Sequence, residues 1–151
     1  MAETQVSRER LVVGYIADAR GYDALEFACF LAEGLDAEVH IVMVLPEPNA
    51  FGTASVGTPV PGDHIYSHQL REWAQDAMRR VPEGVSARVD FRFNDSAAHG
   101  LLDAARELDA STIIIGAQAG PLLGKFTLGS VANALLHASP VPVGLAPRRV
   151  K

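Results

Sequence analysis

The sequence predicts an α/β protein: an open, five-stranded parallel sheet in the order 3-2-1-4-5, with helices on both faces. Short β-branched runs alternate with longer segments whose apolar residues recur every three or four positions, as in alternating strands and helices. Of its 151 residues, 48% are hydrophobic, which is enough for one sizeable core. Right-handed crossovers leave few topologies, and in the predicted order the winding reverses between the first and fourth strands. Ligands of open α/β sheets bind at such a switch point.

The first half of the chain predicts two buried strands joined by a helix. The strands cover residues 11–16 and 39–45, which are rich in valine, leucine and isoleucine. Between them, Asp23 and Glu26 have the spacing of a capping box, and an apolar stripe at helical spacing follows. We therefore expect the helix to begin at Asp23. Cys29 falls beside the stripe and is expected to be a small core residue.

The second half predicts three helices and three strands after a long irregular segment. Residues 46–62 contain four prolines and three glycines, which leave no regular structure. Asp63 can cap a helix that reaches about Arg80, and the alternation of residues 85–93 predicts a strand with one polar face. The remaining predicted elements are a helix capped by Ser96, a strand over 112–115, a short helix over 130–138 and a last strand over 141–146.

Composition excludes several classes of function. The net charge is −5, which is unfavourable for general nucleic-acid binding. One cysteine can form neither an intramolecular disulfide nor a multi-cysteine metal site. No apolar run approaches the ~20 residues of a membrane span, and the first ten residues contain no apolar signal core. We therefore expect a cytoplasmic protein without membrane or nucleic-acid partners.

The distribution of charge and glycine draws attention to the last third of the chain. All 18 acidic residues precede residue 110. The segment after it contains the charged residues Lys125, Arg148, Arg149 and Lys151, and no others. Such a segment is suited to anion binding, although burial alone also explains the absence of acids. It includes a glycine-containing loop followed by the start of a helix, Gly129-Ser130, whose free N–H groups attract phosphate.

Two common phosphate-binding motifs are absent from this loop. A P-loop would need serine or threonine after Gly124-Lys125, but Phe126 follows. The dinucleotide fingerprint Gly-x-Gly-x-x-Gly does not occur anywhere in the chain. The loop has the spacing of a different pattern, Gly-x2-Gly-x9-Gly-Ser/Thr, which Gly116, Ala119 and Gly129-Ser130 match except at Ala119.

This pattern is one of several features by which residues 9–147 resemble a single-domain universal stress protein. Residues 128–131 and 140–143 are highly similar to that family, and residues 24–25 and 101–105 match its helix patterns. The resemblance leaves residues 1–8 as a flexible arm and residues 148–151 as a basic tail. It implies a dimeric stress-response regulator that binds ATP or another adenine nucleotide, with or without Mg²⁺.

The resemblance also implies which residues contact the nucleotide. Backbone amides and the Ser130 hydroxyl would hold the phosphates, Lys125 would neutralise them, and residues after the first strand and within the second would line the adenosine pocket. ATP-binding members usually have Asp-Gly-Ser where this chain has Ile16-Ala17-Asp18, so Asp18 is the nearest carboxylate. Losing one charged hydrogen bond costs ~1.5–3 kcal/mol. The implied set is Ile16, Ala17, Asp18, Val42, Met43, Gly116, Ala119, Gly120, Lys125, Gly129, Ser130 and Val131.

Three hypotheses about function remain at this stage. The first is nucleotide binding by a regulator that is not an efficient enzyme, since no general base or nucleophile is identifiable and only slow ATP hydrolysis is expected. The second is a protein-interaction module that has lost nucleotide binding, which Ile16 motivates. The third is a cyclic nucleotide ligand, which needs fewer phosphate contacts.

Two further expectations concern partners and metals. The last predicted strand lies at a sheet edge and could pair with its copy, so the resemblance implies a homodimer through Val141, Pro142, Val143 and Leu145. His64 and His68 lie four residues apart on a predicted helix, but no third ligand is identifiable, so we expect no metal site.

Overall fold

The computed structural model describes residues 8–47, 64–117 and 129–148. Predicted features at Asp63, Ala119, Gly120 and Lys125 lie outside these residues. Within them, strands and helices alternate along the chain. The elements are β1 (Arg10–Gly14), α1 (Ala19–Leu35), β2 (Glu38–Leu45), α2 (His64–Arg79), β3 (Ala87–Phe93), α3 (Ala97–Glu107), β4 (Thr112–Gly116), α4 (Ser130–Ala138) and β5 (Val143–Ala146).

The sheet confirms the predicted topology. The strands lie in the order β3-β2-β1-β4-β5, and every neighbouring pair is parallel. β1 lies at the centre, where Val13 is opposite Ile41 of β2 on one side and Ile114 of β4 on the other. The switch point is therefore between the carboxyl ends of β1 and β4, as predicted.

Two apolar cores cover the two faces of the sheet. On one face, Val13 and Ile41 pack with residues of α1 and α2. On the other, Val12 and Val42 pack with residues of α3 and α4. All four side chains are fully buried, and burying each contributes roughly 1.5–3 kcal/mol. The alternation along β1 and β2 thus assigns successive residues to opposite faces.

The start of α1 differs from the prediction. Asp18, not Asp23, is the N-cap: its carboxylate accepts hydrogen bonds from the backbone N–H groups of Arg20 (2.9 Å) and Gly21 (3.3 Å). Asp23 lies inside the helix, and its Oδ2 pairs with Nε of Arg148 at 3.3 Å. The capping-box pattern was misleading because both of its acids lie within the helix.

Smaller differences affect the other elements. The first strand ends at Gly14 instead of residue 16, and the last begins at Val143 instead of residue 141. The spacing in α4 predicts Val131, Ala134 and Leu135 on its inner face, but the buried residues are Ala132 and Leu135, and Ala134 is exposed. The Ser96 cap of α3 is confirmed, since its hydroxyl accepts from the N–H of His99 at 3.2 Å. No described helix is both long and apolar enough to cross a membrane.

Candidate functional site

A cavity of about 330 Å³ opens at the switch point, which is the size of many small-molecule sites. The ends of β1, β2, β4 and β5 form its floor, and the starts of α1, α3 and α4 form its rim. We call it the switch-point cleft. Its lining among the described residues is Gly14, Tyr15, Ile16, Arg20, Gly21, Val42, Val44, Ala97, Leu101, Ile115, Gly116, Ala117, Gly129, Val131, Ala132, Leu145 and Pro147.

One wall of the switch-point cleft is apolar. Val42, Val44 and Leu101 belong to the core beneath α3 and α4 and continue into the cleft. Ile16 lies on the wall just after β1 and is 45% exposed. A wall of this kind can bury a flat, apolar part of a ligand.

The N-terminus of α4 brings unpaired backbone amides to the rim of the cleft, although its Val131 and Ala132 side chains pack with the same core as the apolar wall. Gly129 and Val131 line the cavity, and Gly129 is the N-cap of the helix. The N–H of Asn133 is bonded to the carbonyl of Gly129 at 2.9 Å, so the amides before it have no acceptor within the helix. Gly129 has no side chain to accept from them. These amides and the helix dipole are suited to an anion.

Two glycines allow the turn after β1 to pack closely against β4. A Cβ on Gly21 would overlap the carbonyl oxygen of Ile16, and a Cβ on Gly116 would overlap that of Arg20. Both positions therefore require glycine for packing. The sequence predicted a phosphate-binding role for Gly116, but the tight contact alone accounts for its lack of a side chain.

Arg20 is a cleft residue that sequence reasoning missed. Its Nη2 and Nε donate to Oδ2 of Asp18 at 3.0 and 3.3 Å. Burial alone would raise the pKa of Asp18, but the hydrogen bonds from Arg20 and from backbone amides lower it, so the carboxylate stays ionised. Because the sequence predicts a helix that begins at Asp23, it places Arg20 before that helix. The capping residue type at Asp18 was the signal that could have located Arg20.

Tyr15 connects the cleft with α2 on the other face of the sheet. Its hydroxyl donates to Oδ2 of Asp76 at 3.4 Å, and Arg80 donates to the same oxygen at 3.2 Å. The Arg80 guanidinium also lies 3.4 Å from the ring centroid of Tyr22. Burial, together with Asp76, raises the pKa of Tyr15 to about 12. Tyr15 is therefore a protonated structural residue and is unsuited to act as a base near neutral pH.

The cleft brings together some of the residues that the sequence predicted. Those on its wall are Ile16, Val42, Gly116, Gly129 and Val131. Ser130 lies between two of them at the first position of α4 but is exposed and does not line the cavity. Ala119, Gly120 and Lys125 lie outside the described residues.

Three other predicted residues do not line the cleft. Met43 is buried in the core beneath α1 and α2, because the alternation of β2 turns it away from the face of Val42. Ala17 is exposed and borders a separate depression beside Tyr22 and Trp73. Asp18 is occupied as the N-cap of α1 and as the partner of Arg20, so it does not replace the missing carboxylate at Ile16.

No group of three histidine, cysteine or carboxylate side chains within the described ranges could hold a metal ion. The buried His40 lies 2.8 Å from Oε1 of Glu38, on the sheet and not in the cleft. Burial lowers the pKa of His40, although Glu38 opposes this effect.

Comparison with known sequences connects this architecture with one family. The model of the universal stress protein family matches residues 7–147. A universal stress protein of Mycobacterium tuberculosis is 32% identical over 146 residues, covering 93% of this chain and 49% of the relative. The chain thus spans about half the length of this relative.

Solved structures share the fold. A universal stress protein from Archaeoglobus fulgidus has a TM-score of 0.68 at 21% identity, covering 91% of this chain and 92% of that one. A structure of the universal stress protein from the same organism in complex with dAMP has a TM-score of 0.60 at 23% identity, with 91% and 96% covered. A universal stress protein in complex with cAMP has a TM-score of 0.63 at 19% identity, with 94% and 98% covered.

Proposed function

The chain belongs to the universal stress protein family, and on this premise we propose that it binds an adenine nucleotide in the switch-point cleft. The proposal rests on one observation: a single cavity combines an apolar surface with unpaired backbone amides. The cavity is lined both by apolar side chains and by the N-terminus of α4, whose first amides lack helical acceptors. Relatives of this fold bind dAMP and cAMP, so the ligand class has precedent.

The two surfaces suggest how the nucleotide lies. The phosphate would meet the amides that follow Gly129, and the adenosine would pack against Val42, Val44 and Leu101. Ile16 offers the adenosine no hydrogen-bonding side chain. One missing charged hydrogen bond weakens binding by about ten- to a hundredfold. We therefore expect affinities between micromolar and millimolar.

We further propose that the protein is a nucleotide-responsive regulator and not an efficient enzyme. The described lining of the cleft includes neither a carboxylate nor an imidazole to activate water. Mg²⁺ would accompany ATP through the phosphates. Any hydrolysis would then be slow.

Calorimetry tests the proposal most directly. ATP, ADP, AMP and cAMP are titrated into the protein, each with and without Mg²⁺. Gly129→Asp is the informative variant: aspartate is a favoured N-cap, so α4 should persist, while its carboxylate repels phosphate. Gly34→Asp is the matched control, because Gly34 lies on α1 with open space around it. We expect saturable binding by the wild type and the control, and none by Gly129→Asp. A wild type that binds none of the four ligands up to millimolar concentration would refute the proposal.

The alternative is an interaction module without nucleotide binding. It is favoured by Ile16, a large apolar side chain that is 45% exposed where the family usually has a carboxylate. Under this alternative, Gly129→Asp leaves partner binding unchanged. The same calorimetry separates the two functions.

We also propose a homodimer through the outer edge of β5, beside which no other described strand lies. The carbonyl of Pro142 accepts from Ile113 of β4 and that of Ala146 from Ala117 just after it, so the alternation of the strand turns the backbone of Val143 and Leu145 towards the other edge. Val141, Val143 and Leu145 pack their side chains against the core beneath α3 and α4, which leaves the backbone as the pairing surface.

Sedimentation equilibrium of the wild type and Val143→Pro tests this dimer. Proline at this position removes an outward N–H and no donor to β4. We expect the wild type to sediment as a dimer and the variant as a monomer. A monomeric wild type at 100 μM would refute pairing through β5.

A further inference from the structure

We infer that Arg20 is the side chain that binds the phosphate of the nucleotide, together with the N-terminus of α4. This assignment rests on the proposed function and adds to it a residue that sets the preference for charged ligands. Among the described residues that line the switch-point cleft, Arg20 alone carries a full charge. The guanidinium is held beside Asp18 at the start of α1, and the inference is that it reaches an anionic group bound in the cleft next to the free amides of α4.

The backbone that carries Arg20 is fixed on both sides. Gly21 packs against the carbonyl of Ile16, and the carbonyl of Arg20 packs against Gly116 at the end of β4, with no room for a side chain at either glycine. Asp18 caps the same turn through the N–H of Arg20 at 2.9 Å. The Arg20 side chain thus leaves from a rigid point at the rim of the cleft.

Asp18 orients the guanidinium of Arg20 but leaves some of its N–H donors available. The guanidinium donates from Nε and Nη2 to one oxygen of Asp18, and the side chain stays 37% exposed. Arginine has five N–H donors, so at least three remain for a ligand. The planar fork suits two phosphate oxygens at once, which a lysine cannot reproduce. Asp18 thereby serves as a positioning residue for Arg20.

A purely structural role for Arg20 predicts different behaviour. The cap of α1 uses the backbone N–H groups of Arg20 and Gly21, which survive any change of the Arg20 side chain. The ion pair with Asp18 is partly exposed on both sides, so its loss should leave the fold intact. Arg20→Gln should therefore fold normally and change ligand binding selectively.

Calorimetry of ATP and adenosine with the full chain tests this inference. The variants are Arg20→Gln and Arg20→Lys, and Arg106→Gln is the control because Arg106 also pairs with an aspartate on its own helix, outside the cleft lining. We expect Arg20→Gln to weaken ATP binding by about ten- to a hundredfold and to leave adenosine binding within twofold. Arg20→Lys should be intermediate, and Arg106→Gln should match the wild type. Circular dichroism checks that every variant is folded.

The possible outcomes separate this inference from the proposed function. A wild type that binds neither ATP nor adenosine overturns both. A wild type that binds ATP, with Arg20→Gln binding it equally well, overturns the role of Arg20 alone. Equal weakening of ATP and adenosine also overturns it, because Arg20 would then shape the cleft without contacting phosphate.

Discussion

Replacing Asp18 with alanine should destabilise the protein chiefly because α1 loses its N-cap. The Asp18 carboxylate accepts from two backbone N–H groups, at 2.9 and 3.3 Å. Replacing such a cap by alanine costs typically about 1 kcal/mol, within a range of about 0.5–2. The ion pair with Arg20 adds little, because exposed pairs contribute about 0–1 kcal/mol. We therefore expect Asp18→Ala to lower the free energy of unfolding by about 1–2 kcal/mol.

Asp18→Asn separates the cap from the charge. Asparagine is an equally good N-cap, so this variant should lose only the ion pair, or about 0.5 kcal/mol. Urea unfolding at pH 7 measures both variants, and an unchanged dependence on urea concentration shows that the unfolding reaction is the same. If both variants lose the same stability, the charge and not the cap is responsible. If Asp18→Ala matches the wild type, α1 does not begin at Asp18.

The pH dependence provides a second check on the same residue. The pKa of Asp18 is lowered in the folded protein, since hydrogen bonds from Arg20 and the backbone outweigh burial. The ionised carboxylate therefore contributes stability above the pKa of an unfolded aspartate, ~3.9. This contribution disappears as the pH falls through the lower, folded pKa. The difference between the wild type and Asp18→Asn should be present at pH 7 and disappear in acid.

Four further predictions concern packing and titration. Gly116→Ala should cost about 1–3 kcal/mol in urea unfolding, because its Cβ overlaps the carbonyl of Arg20. Gly34→Ala, in open space on α1, should stabilise the protein by roughly 0.5–1 kcal/mol; a loss at Gly34 would contradict this packing account. The native Cys29 thiol should not react with a disulfide reagent at pH 8, since burial and nearby glutamates raise its pKa to about 11, and rapid native reaction would disprove this. Burial lowers the pKa of His40, so its contribution to stability is present above the unfolded value of ~6.5 and is lost as the pH falls through the folded one. In His40→Gln the free energy of unfolding should therefore fall less between pH 7 and 5 than in the wild type. An equal fall in both proteins would exclude His40 as its cause.

Much of the fold could be predicted because its signals are local. Alternation and helical spacing located the strands and helices, and the crossover rule then gave the strand order. Ser96 caps α3, and Gly129-Ser130 opens α4, as the residue types indicate. The position of the cleft followed from the topology alone, since the winding can reverse only beside β1.

The composition of the cleft was only partly predictable, because it depends on contacts between distant segments. The alternation of β2 shows that Val42 and Met43 face opposite sides, but only the placement of α3 and α4 decides which side carries the cleft. Ala17 and Ser130 are adjacent in sequence to cleft residues and yet turn away from the cavity.

By itself, the sequence determined the element order, the sheet topology and the family, since these depend on periodicity and spacing. Only the tertiary structure decided between two aspartates that are equally good caps in isolation. Asp23 is engaged by Arg148 from the far end of the chain, while the two close glycine contacts hold the turn in which Asp18 caps α1. The same contacts bring Arg20 to the cleft. Such choices depend on close packing between residues far apart in sequence, for which no local pattern is a guide.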